Sequence, residues 1–253
     1  MSKFYVLILF LFNAISFSFG QRNVRDSIIP SPWVSVHYGI NGTGGDLAKR
    51  HGTLHHVGFF GGFKSSRNWI YGLDAAFMFG NDIRVNGLFD HLVDSKGNIT
   101  DQNGDIAIVI VASRGMYANG TIGKILPILS PNPNSGVYVN VGAGFLAHKI
   151  RIETQDHVVP QLELDYRKGY DKLTSGLNTS QFIGYSFMAD KGFANFYGGF
   201  YAQQGYTFNR RTVFFESPEI EVSKDMMLDL QFGAKFAWIV PIYKRQPKDF
   251  YFD

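Results

Sequence analysis

The chain has no cysteine in 253 residues. That excludes a disulfide scaffold, a thiol nucleophile and a lipid anchor carried on cysteine. It also lacks any long apolar run beyond its first twenty residues, and its mean hydropathy is −0.06, so a bundle of membrane helices is excluded. Charge of either sign is sparse: 24 Lys+Arg against 21 Asp+Glu, a net of +3. This is too small an excess to argue for a nucleic-acid partner. What the chain has instead is 28 glycines and an aromatic content of 16%, a mixture suited to closely approaching β-strands with aromatic girdles.

The first residues read as an export signal. Met1-Ser2-Lys3 precedes "FYVLILFLFNAISFSFG" and then "QRNVRD". A basic start, a short apolar run and small residues before a polar stretch predict a signal peptide over 1–20, followed by a polar leader over 21–31. With cysteine absent, stability in an exported chain rests on core packing, strand pairing or a membrane.

From residue 32 onward the dominant signal is alternation. In "LDLQFGAKFAWIVPIY" (228–243), Leu228, Leu230, Phe232, Ala234, Phe236, Trp238, Val240 and Ile242 form one set. Asp229, Gln231, Gly233 and Lys235 open the other. A period of two over ten or more residues predicts a strand between two environments, at the length a tilted strand needs to cross a bilayer. Seven further segments begin near Trp33, Leu54, Trp69, Ile106, Val137, Ser180 and Ala194. The fourth is apolar on both faces at its start, which leaves its facing open.

Connections alternate between long polar stretches and tight turns such as "KSSRN" and "DKG". Eight strands with this alternation predict an all-β, eight-stranded antiparallel transmembrane β-barrel over 32–243. It has short periplasmic turns, long extracellular loops and a periplasmic tail over 244–253. Its apolar set faces outer-membrane lipid and its polar set faces the lumen. A soluble exported β-sheet binding module is the alternative fold.

Two resemblances follow from particular residues. "QFGAKFAW" is similar to the insertion signal of outer-membrane barrels, with Gln231, Gly233, Phe236 and Trp238 in its slots. It departs from that signal because the chain continues past Trp238. The stretches "HKIRIE", "VPQLELDYRKGYDKLTSG", "NFYGGFYAQQGYTFNRR" and "WIVPIYKR" resemble small outer-membrane barrels of Bacteroidetes-type bacteria. Among these are PorG- and PorT-type barrels of type IX secretion and gliding machinery. The resemblance implies a non-enzymatic barrel that anchors or docks a protein complex, with no cofactor and no catalytic residues to carry over.

Several groups are candidates for chemistry. Asp74, Arg114, Asp229 and Lys235 are expected in or near the lumen, as an ion path or as a plug of paired charges. An eight-stranded barrel is just wide enough for side chains to fill, which favours the plug. A lipid-modifying enzyme would draw on His148, Glu153, His55, His56 and Ser180, although no spacing selects a triad. Asp94, Asn98, Asp101, Asn103 and Asp105 could take calcium through oxygen ligands, but the EF-hand spacing is absent. Partner contacts are expected from Tyr166, Arg167 and Tyr170 in the third long loop. Lys244, Arg245, Phe250 and Tyr251 in the tail are expected to join them.

Overall fold

The computed structural model describes residues 27–163, 165–189 and 194–241. The expected signal peptide and the tail, including Lys244, Arg245, Phe250 and Tyr251, lie outside the described residues. Eight strands follow one another: β1 (Ser31–Gly45), β2 (Leu54–Lys64), β3 (Trp69–Gly80), β4 (Val109–Leu126), β5 (Gly136–Thr154), β6 (Thr174–Met188), β7 (Asn195–Asn209) and β8 (Met227–Pro241). Each pairs antiparallel with its neighbours in sequence, and β8 pairs with β1. The sheet is therefore a closed barrel with no free edge, so every strand finds its ladder within the chain.

Alternation sets the faces. On β8, Asp229, Gln231, Lys235, Ala237 and Ile239 are buried inside, while Leu228, Phe232, Phe236 and Trp238 are exposed outside. The same split holds on β1, where Val34, Val36, Tyr38 and Ile40 face out and Ser35, His37 and Asn41 face in. Around the barrel the outward positions form an apolar belt, with Leu73 69%, Leu177 70% and Phe200 76% exposed. Aromatics gather at both rims: Phe63, Tyr71, Phe196 and Trp238 toward the end where the chain enters, and Tyr38, Phe77, Tyr206 and Phe208 toward the other.

The fourth strand corrects two expectations. It starts at Val109, not Ile106, which forms only an isolated bridge with Thr100. Ser113 points inward, bonded to His51, so its neighbour Arg114 points outward, not into the lumen. Arg114 stands between Phe79 of β3 and Lys149 of β5 and donates to the Ser113 carbonyl at 2.8 Å. Two-residue parity leaves no choice once Ser113 is fixed. β6 also starts earlier than its alternation implies, at Thr174.

Connections 65–68 and 127–135 lie at the entry end, as do Met188 and Asn195, which end β6 and begin β7. The expected turn "DKG" lies outside the described residues. Connections 46–53, 81–108, 155–173 and 210–226 lie at the other end. Connection 46–53 is short and turns through a 3-10 helix (Leu47–Lys49) that drops Arg50 and His51 into the barrel mouth. The other three are long, and β4 and β5, at 18 and 19 residues, rise with them above the belt.

Candidate functional site

The lumen is filled from end to end. At the entry end Ile29, Trp33, Ile70, Ile125, Met188 and Ile239 are all buried and form an apolar floor. Lys64 is held there by Asn134 at 2.7 Å and the Ile29 carbonyl at 3.2 Å, so the segment before β1 is pinned inside the mouth. Above the floor Tyr138, Phe182 and Tyr197 pack at ring-centroid distances of 5.3–5.5 Å.

The central polar cluster stands on that aromatic layer. Asp74 accepts from Lys235 Nζ at 2.5 Å and meets His37 Nε2 at 2.7 Å. Lys235 also lies over the Tyr201 ring, 5.1 Å from its centroid. His56 rests against Tyr117 and Tyr201 and reaches Asn41 at 3.2 Å. Gly39 makes room for it, because a β-carbon there would fall 2.2 Å from the imidazole. A void bounded by Phe60, Asp74, Ser180, Tyr201 and Lys235 has room for about one water.

Asp229 organises a second cluster near the far mouth. It accepts from Thr207 at 2.5 Å, meets His148 at 2.8 Å, and pairs with Arg50 at 3.4 Å. Arg50 also donates to Thr174 at 2.6 Å. His51 Nδ1 lies 2.7 Å from Ser113 Oγ, with its ring edge-on to His148. Burial, then the His148 and Arg50 charges, hold the His51 imidazole neutral, well below its usual range. Asp74, Asp229 and Lys235 thus sit in the lumen as members of two separate clusters, and Arg114 belongs to neither. Asp74 is paired with Lys235 and Asp229 with Arg50, as a plug requires, whereas Lys64 in the floor is held by neutral acceptors alone.

The residues that a lipid-modifying enzyme would need do not converge. His148 and His56 are in separate lumen clusters, Ser180 faces Asn119 at 3.3 Å, and His55 lies outside against Tyr38 at 2.7 Å. Glu153 is outside too, paired with Arg151.

The far end carries the feature that sequence reading missed. Connections 81–108, 155–173 and 210–226 share a hydrophobic core of Leu88, Ile99, Ala107, Ile150, Ile152, Val159, Leu162 and Tyr170, with Phe89 and Phe215 packed against it. Polar contacts join all four connections. His51 bridges to Ile83, and Tyr170 Oη meets His91 Nε2 at 2.7 Å. Asp171 receives both Nε and Nη2 of Arg211, at 2.8 and 2.5 Å, and Lys172 pairs with Glu216. The loops are a folded cap. Tyr170, expected at a partner interface, is only 2% exposed and belongs to the cap core. Tyr166 is 62% exposed, and Arg167 lies beside it, donating to the Leu162 carbonyl at 3.0 Å.

The acidic loop has a structural occupation. Asp94 accepts the backbone N–H groups of Lys96 and Asn98 at 2.7 and 2.9 Å, and Asp101 those of Asn103 and Asp105 at 2.8 and 2.9 Å. These donors hold the Asp94 carboxyl below the usual carboxylate range, as His157 does first for Asp101. Gly97 and Gly104 adopt φ of 81° and 88° at matching places. "DSKGNIT" and "DQNGDIA" are thus two copies of one turn, and that tandem pattern was the signal available in the sequence. No metal-ligating group of three or more is found among the described residues.

No protein-family model matches the chain, and no curated protein matches it significantly. Among solved structures it resembles the Neisserial surface protein A at 10% identity and TM-score 0.41, over 83% of this chain and 98% of that one. It also resembles outer membrane protein OprG of Pseudomonas aeruginosa, at 9% identity and TM-score 0.34, over 82% and 96%. A third is Ail, the attachment invasion locus protein of Yersinia pestis, in complex with the heparin analogue sucrose octasulfate, at 11% identity and TM-score 0.29, over 82% and 99%.

Proposed function

We propose that this protein is a non-enzymatic outer-membrane barrel whose folded cap docks a protein partner. The membrane reading is supported by the inversion of polarity: apolar side chains face outward on all eight strands while paired charges fill the inside. In water such a belt would far exceed the apolar patch a monomer tolerates. In hydrocarbon it is the expected face, and barrel closure pairs the backbone groups that lipid cannot satisfy. The entry end, where an exported chain begins, is then periplasmic and the cap extracellular.

The observation that carries the docking role is the cap core. A plugged lumen leaves transport little room, whereas loops ordered on a rigid scaffold give a preformed surface without the entropy loss of ordering on contact. The resemblance to barrels of type IX secretion and gliding machinery makes a secretion-complex component the first partner class to test. A photo-crosslinking residue at Tyr166, in intact cells, is expected to capture a discrete protein. A cap that remains protease-resistant yet captures nothing from Tyr166 or Arg167 overturns the docking role.

A further inference from the structure

The apolar belt has one interruption away from its rims. Outward positions of the eight strands are apolar, glycine or alanine, apart from His55, Arg114, Lys124, Lys149, Arg151, Glu153 and Ser175 at or beyond the belt ends and three residues within it. Those three are Thr179 and Gln181 of β6 and Gln204 of β7. They are ringed by apolar side chains. Leu177 and Ile183 flank them along β6, and Phe200 and Tyr206 along β7. Val141 and Ala143 lie to one side on β5, and Leu230 and Phe232 to the other on β8.

The three bind one another. Gln181 Nε2 donates to Gln204 Oε1 at 2.9 Å, and Gln204 Nε2 donates back to Gln181 Oε1 at 3.0 Å. Thr179 Oγ1 donates to the same Gln204 Oε1 at 2.9 Å. A primary amide offers two donors and two acceptor sites. The set therefore retains one N–H on each glutamine, a free acceptor site on Gln181 Oε1, and the acceptor capacity of Thr179. In lipid these groups have nothing to bind, which is why polar residues at such depth pack against protein. The surface beside them is low, with Gly120 of β4 and Ala143 of β5 on the rung of Thr179, and Ala202 of β7 on that of Gln181.

The geometry points to a second copy of this chain as the occupant, joined through β5, β6 and β7 about a twofold axis along the membrane normal. A closed pair of copies inserted in the same direction is related by such an axis, which keeps each residue at one depth in both copies. The partner must supply neutral donors and acceptors together, inside hydrocarbon, at the depth of Gln181 and Gln204. The patch itself meets that requirement, because its leftover groups are both donors and acceptors. Small residues around the amides let the two barrels approach closely, as they do where membrane segments pack.

This proposal rests on the membrane reading, and the test separates the two. The absence of native cysteine permits disulfide mapping with introduced cysteines in native membranes, with every sample also run unheated to show the compact-barrel shift. Ala143 on β5 and Ala202 on β7 lie on either side of the amides, and a twofold between them sets β5 of one copy against β7 of the other. The double variant Ala143→Cys with Ala202→Cys is therefore expected to give a disulfide dimer under mild oxidation. Phe59→Cys, on the opposite wall, is expected to give none. Adding Gln181→Leu and Gln204→Leu to the double variant is expected to abolish the dimer and leave the heat shift intact. A heat-shifting barrel that gives no dimer with the double variant overturns self-association alone, as does a dimer that Phe59→Cys forms equally or that survives the leucine pair. A protein recovered from the soluble fraction overturns the membrane reading and this proposal with it.

Discussion

Lys235 of β8 reaches across the lumen to place its ammonium 2.5 Å from the Asp74 carboxylate of β3, and His37 of β1 closes on the same carboxylate from the other side. The three strands are thereby tied through the barrel interior as well as around its wall. Removing one charge leaves the other buried without its main partner, at a cost of about 3–5 kcal/mol. Lys235→Met is therefore expected to lower the urea midpoint of the refolded barrel strongly. Lys235→Met with Asp74→Asn should recover a large part of that loss. A double variant as unstable as the single one would show that the pair's charge complementarity is not what holds the plug.

Tyr170 and Tyr166 lie four residues apart and have opposite expected roles. Tyr170→Ala removes a ring from the cap core and its contact with His91. An aromatic truncation of this kind costs about 3–5 kcal/mol. It should open connections 81–108 and 155–173 to protease on intact cells while the strands stay protected. Tyr166→Ala should leave the protease pattern unchanged and reduce partner capture. Equal patterns for the two variants would contradict the division between core and surface.

His51 gives the cap a dependence on pH. Its folded-state value is held below the unfolded one of about 6.5. The unfolded form therefore takes up a proton that the folded form refuses, and stability falls as pH drops. Anchoring of connection 46–53 should be complete above about pH 6.5 and weaken below it. The protection factors of the Gly52 and Arg84 amides, which join this connection to the next, should fall on acidification. His51→Asn should flatten that dependence. Exchange that slows on acidification beyond the intrinsic amide rate would contradict the sign.

Strands were legible because a wall between lipid and a polar lumen imposes two environments, and period two records them directly, as on β1 and β8. The facing of the fourth strand was not, because Val109 and Val111 pack on the cap core while Ile110 is exposed above the belt. Both faces read as apolar there, so alternation carries no parity that separates a lumen position for Arg114 from an outward one. The cap itself left no periodic trace. Leu88, Ile99, Val159, Leu162 and Tyr170 come from connections far apart in sequence and meet only because the barrel brings its loops to one end. Lumen charges Asp74, Asp229 and Lys235 could be identified from alternation. Their partners His37, Thr207 and Arg50 lie on other strands and loops, beyond what a single strand's pattern reveals.

The most direct measurement of the central claim is membrane flotation of the native protein, with recovered material run on a gel before and after heating. A closed barrel embedded in lipid is expected to float with outer-membrane vesicles, resist extraction by carbonate, and migrate faster unheated than boiled. Recovery from the soluble periplasm, with identical migration before and after heating, would contradict it.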